Sequence, residues 1–576
     1  KLIQRCEEVD NIAVMDVEGS YKLTEIYARS LKVDEILTRY GCTSGDHVAI
    51  YLESSASSTW AALGSLLREC IFADVPTWYR STDLDRVLGI IKPKVILTSD
   101  ALSKNISDTE KASVVVLSEE MEDFGCVNSI IKELHPTLNA HNKPDSGSFC
   151  VLTSGTTGIS KVVCCPQASL TDSQPIFEKI LRDGDRVGSF WVYYYFLIPI
   201  LSGCTFAIIP SDFFLKPKEL CEYVEQKQIT VLFLTPSILE SCLINVSDET
   251  FRQSFNSVHT LMLTGERFRD QIKDLFLAKV PACKIVNIYS TNESGDLAVY
   301  KDGCFQIREG TRTRILDDSG RAVLRGNIGH LFVQKQGLLT GYWTEHGKTS
   351  IKTDWYDTGD LVRWHGGNKI TFESRANGAH VKIRGFKVNP RMDQELLHKH
   401  KSIKIAKGTE FGEEDGIEIS LVAAVALNAN ESISENEIRE WMQARAPHYM
   451  IPSAFYYLDD GIHTATSGKD SKLDVNSLKR ISDFASNDLT VAESELANIW
   501  KTVLGQPQLN LKGSDSFFDL GGSLKFVELA DAISKYRNQE VQVGEILSKP
   551  TLSGMASLSS VDAREFNAVN EAEKYT

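Results

Sequence analysis

Leu152-Thr153-Ser154-Gly155-Thr156-Thr157-Gly158-Ile159-Ser160-Lys161 is the stretch that decides how this chain is read. It continues the apolar run Phe149-Cys150-Val151-Leu152, so a strand is expected to pass into a flexible polar loop. Glycines let backbone N–H groups turn toward an anion without Cβ obstruction, hydroxyls donate further hydrogen bonds, and a lysine adds a point charge. Thr153, Ser154, Gly155, Thr156, Thr157, Gly158 and Lys161 are therefore candidates for holding a phosphate. The Gly-Lys-Ser/Thr ending of a Walker A loop is missing. Taken alone, a stretch rich in Gly, Ser and Thr is more often a surface turn, so its meaning rests on its neighbours.

Upstream, Tyr21, Leu23, Ile26, Tyr27, Leu31, Ile36 and Leu37 recur at helical spacing, and strand-like Val48-Ala49-Ile50-Tyr51-Leu52 follows. A helix through residues 59–70, the run Phe72-Ala73-Asp74-Val75-Pro76, a helix beginning at Thr82 and the run Val95-Ile96-Leu97-Thr98 continue the alternation. That alternation is α/β architecture. Downstream, Val231-Leu232-Phe233-Leu234-Thr235-Pro236-Ser237 and Leu261-Met262-Leu263-Thr264-Gly265-Glu266 each read as a strand ending in a polar turn. Ligands of open α/β sheets collect at the carboxyl ends of strands, so these turns should share a crevice with the loop.

With these neighbours, the loop resembles the phosphate-binding loop of the adenylate-forming superfamily: nonribosomal peptide synthetase adenylation domains, acyl-CoA synthetases and luciferases. Ile285-Val286-Asn287-Ile288-Tyr289-Ser290-Thr291-Asn292-Glu293 resembles that family's adenine and magnesium segment, and Trp355-Tyr356-Asp357-Thr358-Gly359-Asp360 its ribose turn. The stretch from Ser374 to Lys387 resembles the hinge, with Asn377 where relatives usually have Asp. Ala446-Pro447-His448-Tyr449-Met450-Ile451-Pro452 and Ser467-Gly468-Lys469 are similar to later family segments. Ser516-Phe517-Phe518-Asp519-Leu520-Gly521-Gly522-Ser523-Leu524 resembles the attachment loop of a carrier domain, one residue shorter, and Lys549-Pro550-Thr551-Leu552 a later carrier turn. The motifs stand in the family's order along nearly the whole chain, and the order is more specific than any one of them.

The resemblance implies a large α/β adenylation subdomain with several sheets over residues 1–374 and a small, mobile α+β subdomain over 375–481. It implies a linker at 482–488, an all-α four-helix carrier domain over 489–561, and a tail at 562–576. It implies ATP, Mg²⁺ and 4′-phosphopantetheine as cofactors. Gly265, Glu266 and Asn287 would line the nucleotide, Tyr289 would stack on adenine, and Ser290 would border nucleotide and acid. Asn292, where relatives usually have Thr, would donate to phosphate, and Glu293 would hold Mg²⁺. Asp360 would accept both ribose hydroxyls from a rigid turn, with Arg375 reaching the ribose. The catalytic lysine would place a cation between the substrate carboxylate and the α-phosphate, where negative charge develops. Lys469 is preferred because a glycine precedes it, while Lys472, in Ser471-Lys472-Leu473-Asp474, fits the downstream half of the same motif. Lys382 and Gly385 would face the nucleotide only after subdomain rotation. Ser523 would carry the phosphopantetheine arm, its plain alternative being a helix N-cap.

The acid is read from an aromatic run: Phe190, Trp191, Tyr193, Tyr194, Tyr195 and Phe196. Amino-acid-activating relatives place an aspartate about a dozen residues before a Ser-Gly pair, to grip the substrate ammonium. In this chain that place falls on Phe190 or Trp191. A buried ammonium without a counter-ion costs several kcal/mol, which argues against a standard α-amino acid. The rings either pack as core or wall a pocket. As a wall, Phe190, Trp191, Tyr194 and Tyr195 would hold a betaine-like quaternary ammonium by cation–π attraction of ~0.5–2 kcal/mol each, and an aryl or aliphatic acid would also fit.

Composition sets the outer bounds. A chain of 576 residues, 42% apolar and 24% charged, is an ordinary multidomain globular protein. Its net charge of −15 argues against a general nucleic-acid partner. The longest apolar candidate, from Trp191 to Ile200, is too short for a membrane span and contains Pro199. The first residues show no signal-peptide pattern, and the cysteines, without C-x-x-C spacing, read as reduced buried thiols of a cytoplasmic protein. A start at Lys1 rather than Met suggests a trimmed chain. The expected partners are a small carboxylic acid, a phosphopantetheinyl transferase, and a downstream reductase, thioesterase or condensation domain. Acyl-CoA ligation with a vestigial carrier, or an inactive carrier-bearing scaffold, are the competing functions.

Overall fold

The computed structural model describes residues 11–77, 79, 81–107, 112–121, 126–134, 148–153, 161–344, 347–350, 355–376, 381–383, 386–388, 396–411, 420–428, 431, 433–443, 445–446, 451–458, 478–481, 489–509, 511–513, 515–517, 520, 525–537, 539, 541, 545–546 and 549–559. The chain divides into two units. One comprises residues 1–155 and 159–378, the other residues 156–158 and 379–576.

The first unit is built on two sheets. In chain order its strands are β1 Ile12–Met15, β2 Ser20–Lys22, β3 His47–Tyr51, β4 Ile71–Asp74, β5 Val95–Thr98, β6 Ser113–Val116, β7 Ser148–Thr153 and β8 Lys161–Pro166. There follow β9 Arg186–Ser189, β10 Thr205–Ile208, β11 Val231–Leu234, β12 Thr260–Thr264, β13 Lys284–Thr291, β14 Gly295–Lys301, β15 Cys304–Ile307 and β16 Arg312–Leu316. The last are β17 Ile328–Gln334, β18 Gly341–Thr344, β19 Gly347–Ser350, β20 Tyr356–Gly366 and β21 Lys369–Arg375. The larger sheet runs β16-β17-β20-β21-β15-β14-β13-β12-β11-β9-β10-β1-β2, and the smaller β19-β18-β8-β7-β4-β3-β5-β6.

Strand direction follows residue pattern. β11 and β12 are apolar along nearly their whole length and buried throughout, as parallel strands covered on both faces must be. The pairs β10–β9, β9–β11, β11–β12 and β12–β13 are parallel. At β13–β14 the direction reverses, and the sheet continues antiparallel. There burial alternates, as in Ile328–Gln334, where every second residue is buried.

One core cluster joins the facing sides of both sheets, including Val14 and Phe206 from the larger and Val48 and Phe72 from the smaller. The helices Leu23–Arg39 and Ala56–Leu67 contribute to it, and they approach closely at Gly64, where a Cβ would lie 2.4 Å from Cβ of Val33. A second cluster covers the other face of the larger sheet, where Phe251 stacks on Phe255 at 4.3 Å and Phe276 meets both edge-on. Each such fully buried ring contributes about 1.5–3 kcal/mol. A third covers the smaller sheet with Leu84, Val87, Leu88 and Ile91 of the helix Ser81–Ile91.

The second unit contains the hairpin β22 Val381–Ile383 and β23 Phe386–Val388, then a three-stranded sheet of β24 Ile403–Phe411, β25 Ser420–Leu427 and β26 Ala454–Tyr457. The helix Glu435–Gln443 supplies Ile438 and Met442 to a core with Val425 and Phe455. Further on come the helices Val491–Leu504, Phe526–Arg537 and Leu552–Ala556, which bury Trp500, Leu529, Ile533 and Met555. Thr490 and Glu493 form a capping box on the first of these, and Gly505 ends it in the left-handed region at φ 70°. No helix among the described residues is long and apolar enough to cross a membrane.

Candidate active site at the strand ends

Three neighbouring parallel strands, β11, β12 and β13, deliver their carboxyl ends to one place, as the alternation of elements requires. After β11, Thr235 caps the helix Pro236–Asn245 by accepting from the Ile238 amide at 3.3 Å. After β12, Gly265 turns the chain at φ 91° and Glu266 reaches back to that helix. Its carboxylate accepts from the Ser237 amide at 2.9 Å and the Ser237 hydroxyl at 3.0 Å, where a negative charge complements the helix N-terminus. From β13, Ser290 shares a 2.7 Å hydrogen bond with Thr264, and Asn287 pairs with Leu263 across the ladder.

Tyr289 leaves β13 toward β20. Its hydroxyl donates to Oδ2 of Asp360, and its ring lies 5.8 Å from that of Phe305. Asp360 is 1% exposed. Its other oxygen, Oδ1, is 2.9 Å from Nη1 of Arg375, its ladder partner on β21, and Arg375 also donates to the Thr358 carbonyl at 2.8 Å. Burial, together with the Asp360 carboxylate, pushes the Tyr289 phenol well above its ordinary value, so it stays a donor. The Thr358-Gly359-Asp360 segment, likened above to a ribose turn, is part of a strand. It lies inside β20, where Gly359 stands at φ 70° and accepts from the Ala376 amide at 2.9 Å, and Asp360 pairs with Arg375 of β21.

The turn between β13 and β14 carries Asn292, which is exposed, and Glu293, which is half-buried. The Leu339 amide donates to the Glu293 carbonyl at 2.9 Å. Tyr342 and Tyr356 sit in the field of the Glu293 carboxylate. Burial first, and that charge second, push Tyr342 up to about 12 and Tyr356 higher still. Among the described residues no group of three or more His, Cys, Asp or Glu gathers as a metal cage. A half-buried carboxylate with backbone carbonyls and hydroxyls suits Mg²⁺, a hard ion that takes one or two carboxylates plus substrate phosphates.

The aromatic run divides. Tyr193, Tyr195 and Phe196 are buried: Tyr193 packs on Phe72 at 5.4 Å, and Tyr195 stacks on Phe233 at 4.5 Å while its hydroxyl donates to Asp296 at 3.1 Å. Phe190 and Trp191 are half-buried and meet edge to face at 6.4 Å, with Phe214 against Phe190 at 5.6 Å. The run is carried by two short helices, Val192–Tyr195 and Leu197–Leu201. The backbones of Thr153 and Lys161 end β7 and begin β8, paired with each other across the hairpin. The residues Ser154, Gly155, Thr156, Thr157 and Gly158, together with Lys469, Lys472 and Ser523, lie outside the described residues, as do the side chains of Thr153, Lys161, Tyr194 and Lys382.

Pattern reading passed over Asp172, Asp296, Arg308 and Lys335, which form buried ionic and hydrogen-bonded contacts next to this turn. Only Asp296 left a signal, as a carboxylate within the apolar strand Gly295–Lys301.

Comparisons with known proteins bear on the fold and the family. Residues 4–343 match the family model of the AMP-binding enzyme, and residues 494–558 that of the phosphopantetheine attachment site. A dimodular nonribosomal peptide synthase of Bacillus subtilis is 24% identical over 98% of this chain, which spans 24% of that protein. The glycine betaine reductase ATRR of Emericella nidulans is 25% identical over 94% of this chain, which spans 45% of it. Among solved structures, an artificially fused adenylation-PCP di-domain from Klebsiella oxytoca aligns over 97% of both chains with TM-score 0.64 at 16% identity. The o-succinylbenzoate CoA synthetase of Bacillus subtilis covers 80% of this chain and 94% of its own, with TM-score 0.68 at 17% identity. The chain thus has the adenylate-forming α/β fold followed by a helical carrier region, and it belongs to the AMP-binding enzyme family.

Proposed function

We propose that this chain activates a carboxylic acid as an acyl-adenylate at the expense of ATP and passes the acyl group to its own carrier region. The observation that carries the reading is the Tyr289, Asp360 and Arg375 cluster beside the ends of β11, β12 and β13. An aromatic ring for a base and a rigidly held carboxylate for two vicinal hydroxyls are what a bound nucleoside needs. In the reaction the acid's carboxylate oxygen attacks the α-phosphorus, the bond to the β-phosphate oxygen breaks, and pyrophosphate leaves. Glu293 would hold Mg²⁺, which supplies positive charge at the phosphates when bound. Lys469, with Lys472 as its rival, would supply a cation where charge builds. Ser523 would carry phosphopantetheine, which supplies the accepting thiol; on transfer the bond between the acyl carbon and the phosphate oxygen breaks, AMP leaves and the thiol proton is released. The boundaries at 374/375, 481/482 and 488/489 are part of this reading, as is a partner domain that consumes the thioester.

For the acid, we propose one without a free ammonium group, a betaine-like quaternary ammonium acid first. Phe190 and Trp191 stand where amino-acid-activating relatives keep an aspartate, and both rings remain partly open. One relative is named a glycine betaine reductase. The test is ATP–pyrophosphate exchange with a panel of α-amino acids, aryl acids, short fatty acids and glycine betaine. Selective exchange with the permanently cationic acid is expected, and selective exchange with an ordinary α-amino acid would refute the assignment.

A further inference from the structure

Buried charges lie against the turn that carries Glu293, and none of them has a part in the chemistry above. Asp172 follows the short 3-10 helix Gln167–Thr171, Arg308 follows β15, and Lys335 follows β17. The Lys335 side chain is 1% exposed. Its ammonium donates to the Ser294 carbonyl at 2.6 Å and to Oδ2 of Asp172. Arg308 donates through Nη2 to Oδ1 of Asp172 and through Nη1 to the Asp172 carbonyl. The same turn is tied at adjacent points: the Leu339 amide holds the Glu293 carbonyl, and the Ser294 amide donates to the Thr291 hydroxyl at 3.1 Å. The segment after Lys335 is held in turn, because the Ser169 hydroxyl donates to the Gly337 carbonyl at 2.8 Å.

The backbone is shaped to admit these charges. Gly295 at φ 65° and Gly337 at φ 82° bring main chain so near Asp172 that a Cβ on either would come within 3.4 Å of its carboxylate group. Burial pulls the Lys335 ammonium below its ordinary range, and Asp172 acts in the opposite direction. Taking such ions out of water costs several kcal/mol each, and an apolar set of similar volume would hold the fold at least as well. What apolar packing cannot do is fix the direction of a carbonyl. An ammonium clamped between a carboxylate and a peptide oxygen does so.

We infer that Lys335, held by Asp172, which Arg308 fixes in turn, is a positioning residue that fixes the 291–295 turn and thereby the aim of the Glu293 carboxylate. This rests on the reading of Glu293 as the Mg²⁺ residue. The test uses the full chain with Mn²⁺ in place of Mg²⁺ and a non-hydrolysable ATP analogue. Metal affinity is read by electron paramagnetic resonance, and amide exchange of residues 291–295 is read without metal or nucleotide. In Lys335→Met the turn amides are expected to exchange faster and Mn²⁺ affinity to fall about tenfold, the low end for losing an outer partner of a metal ligand. Lys335→Arg keeps the charge next to Asp172 and serves if the Met variant does not fold; its affinity falls in the same direction by less. Wild-type Mn²⁺ affinity in either folded variant overturns the inference, even if its melting temperature drops. Glu293→Gln is the control. If it leaves Mn²⁺ affinity unchanged, the Glu293 reading fails and takes the aiming role with it, while turn exchange in the Lys335 variants decides the clamp separately.

Discussion

Tyr289→Phe separates the two tasks assigned to this residue, because it keeps the ring and removes only the hydroxyl that donates to Asp360. A hydrogen bond to a charged acceptor contributes about 1.5–3 kcal/mol. Arg375 remains 2.9 Å from Oδ1 of Asp360 and continues to hold it, so the lower figure applies. If that loss is felt where Asp360 meets ribose, about 1.5 kcal/mol corresponds to roughly a tenfold rise in KM for ATP. The reacting phosphorus is not touched, so kcat should stay within about twofold, the pattern of lost uniform binding. Tyr289→Ala, which also removes the stacking surface, should raise KM further. Both parameters come from pyrophosphate exchange at a saturating acid concentration. An unchanged KM for Tyr289→Phe, or a tenfold fall in kcat at constant KM, would show that Asp360 is not a ribose-binding group positioned by Tyr289.

Three further outcomes are expected. Burial pushes the Asp74 carboxyl up to about 7 from its ordinary 3.8. Between those values the unfolded chain binds fewer protons than the folded one, so stability should fall as pH rises from about 4 to about 7 and level off above. Urea midpoints across that window should lose this slope in Asp74→Asn, and equal slopes would contradict the assignment. Trp191→Leu should cost about 1 kcal/mol of cation–π attraction, roughly fivefold in KM for a permanently cationic acid, and leave neutral acids unaffected. An equal loss for both classes would make Trp191 a packing residue. Thr490→Ala removes the hydroxyl that accepts from the Glu493 amide at 3.2 Å and donates to the Glu493 carboxylate at 2.7 Å, while the Thr490 amide keeps its own bond to that carboxylate, and should destabilise the helix Val491–Leu504 by about 1 kcal/mol. Amide exchange of that helix in the full chain measures it, and unaltered protection would argue against the cap.

The strands were the most legible part. Val95–Thr98 falls where its apolar run places it, and β11 and β12 announce themselves because a strand covered on both faces has few polar positions to blur it. The convergence of β11, β12 and β13 on one crevice follows from the α/β rule. What joins residues across the sheet was hidden. Tyr289 and Asp360 are 71 positions apart on strands separated in the sheet by β14, β15 and β21, and neither carries a local mark of the other. The motif leads to the expectation that Glu266 borders a nucleotide, but it carries no sign of the bonds to Ser237, which reach a helix 29 residues earlier. The aromatic run showed too many rings and no period. Which of them turn inward is decided by partners such as Phe72, Phe233 and Asp296, supplied by distant strands.

Asp296 has a consequence for anyone wishing to transplant a specificity. It accepts from Tyr195 in the aromatic segment and from Ser173 at 2.6 Å, and it lies two residues beyond Ser294, the residue Lys335 grips. Exchanging residues 190–196 alone for those of a relative would strand a buried carboxylate next to the Glu293 turn and disturb turnover along with selectivity. The smallest graft that keeps both side-chain hydrogen bonds of Asp296 is a three-part cassette: 190–196, 291–297 and the short stretch around Ser173.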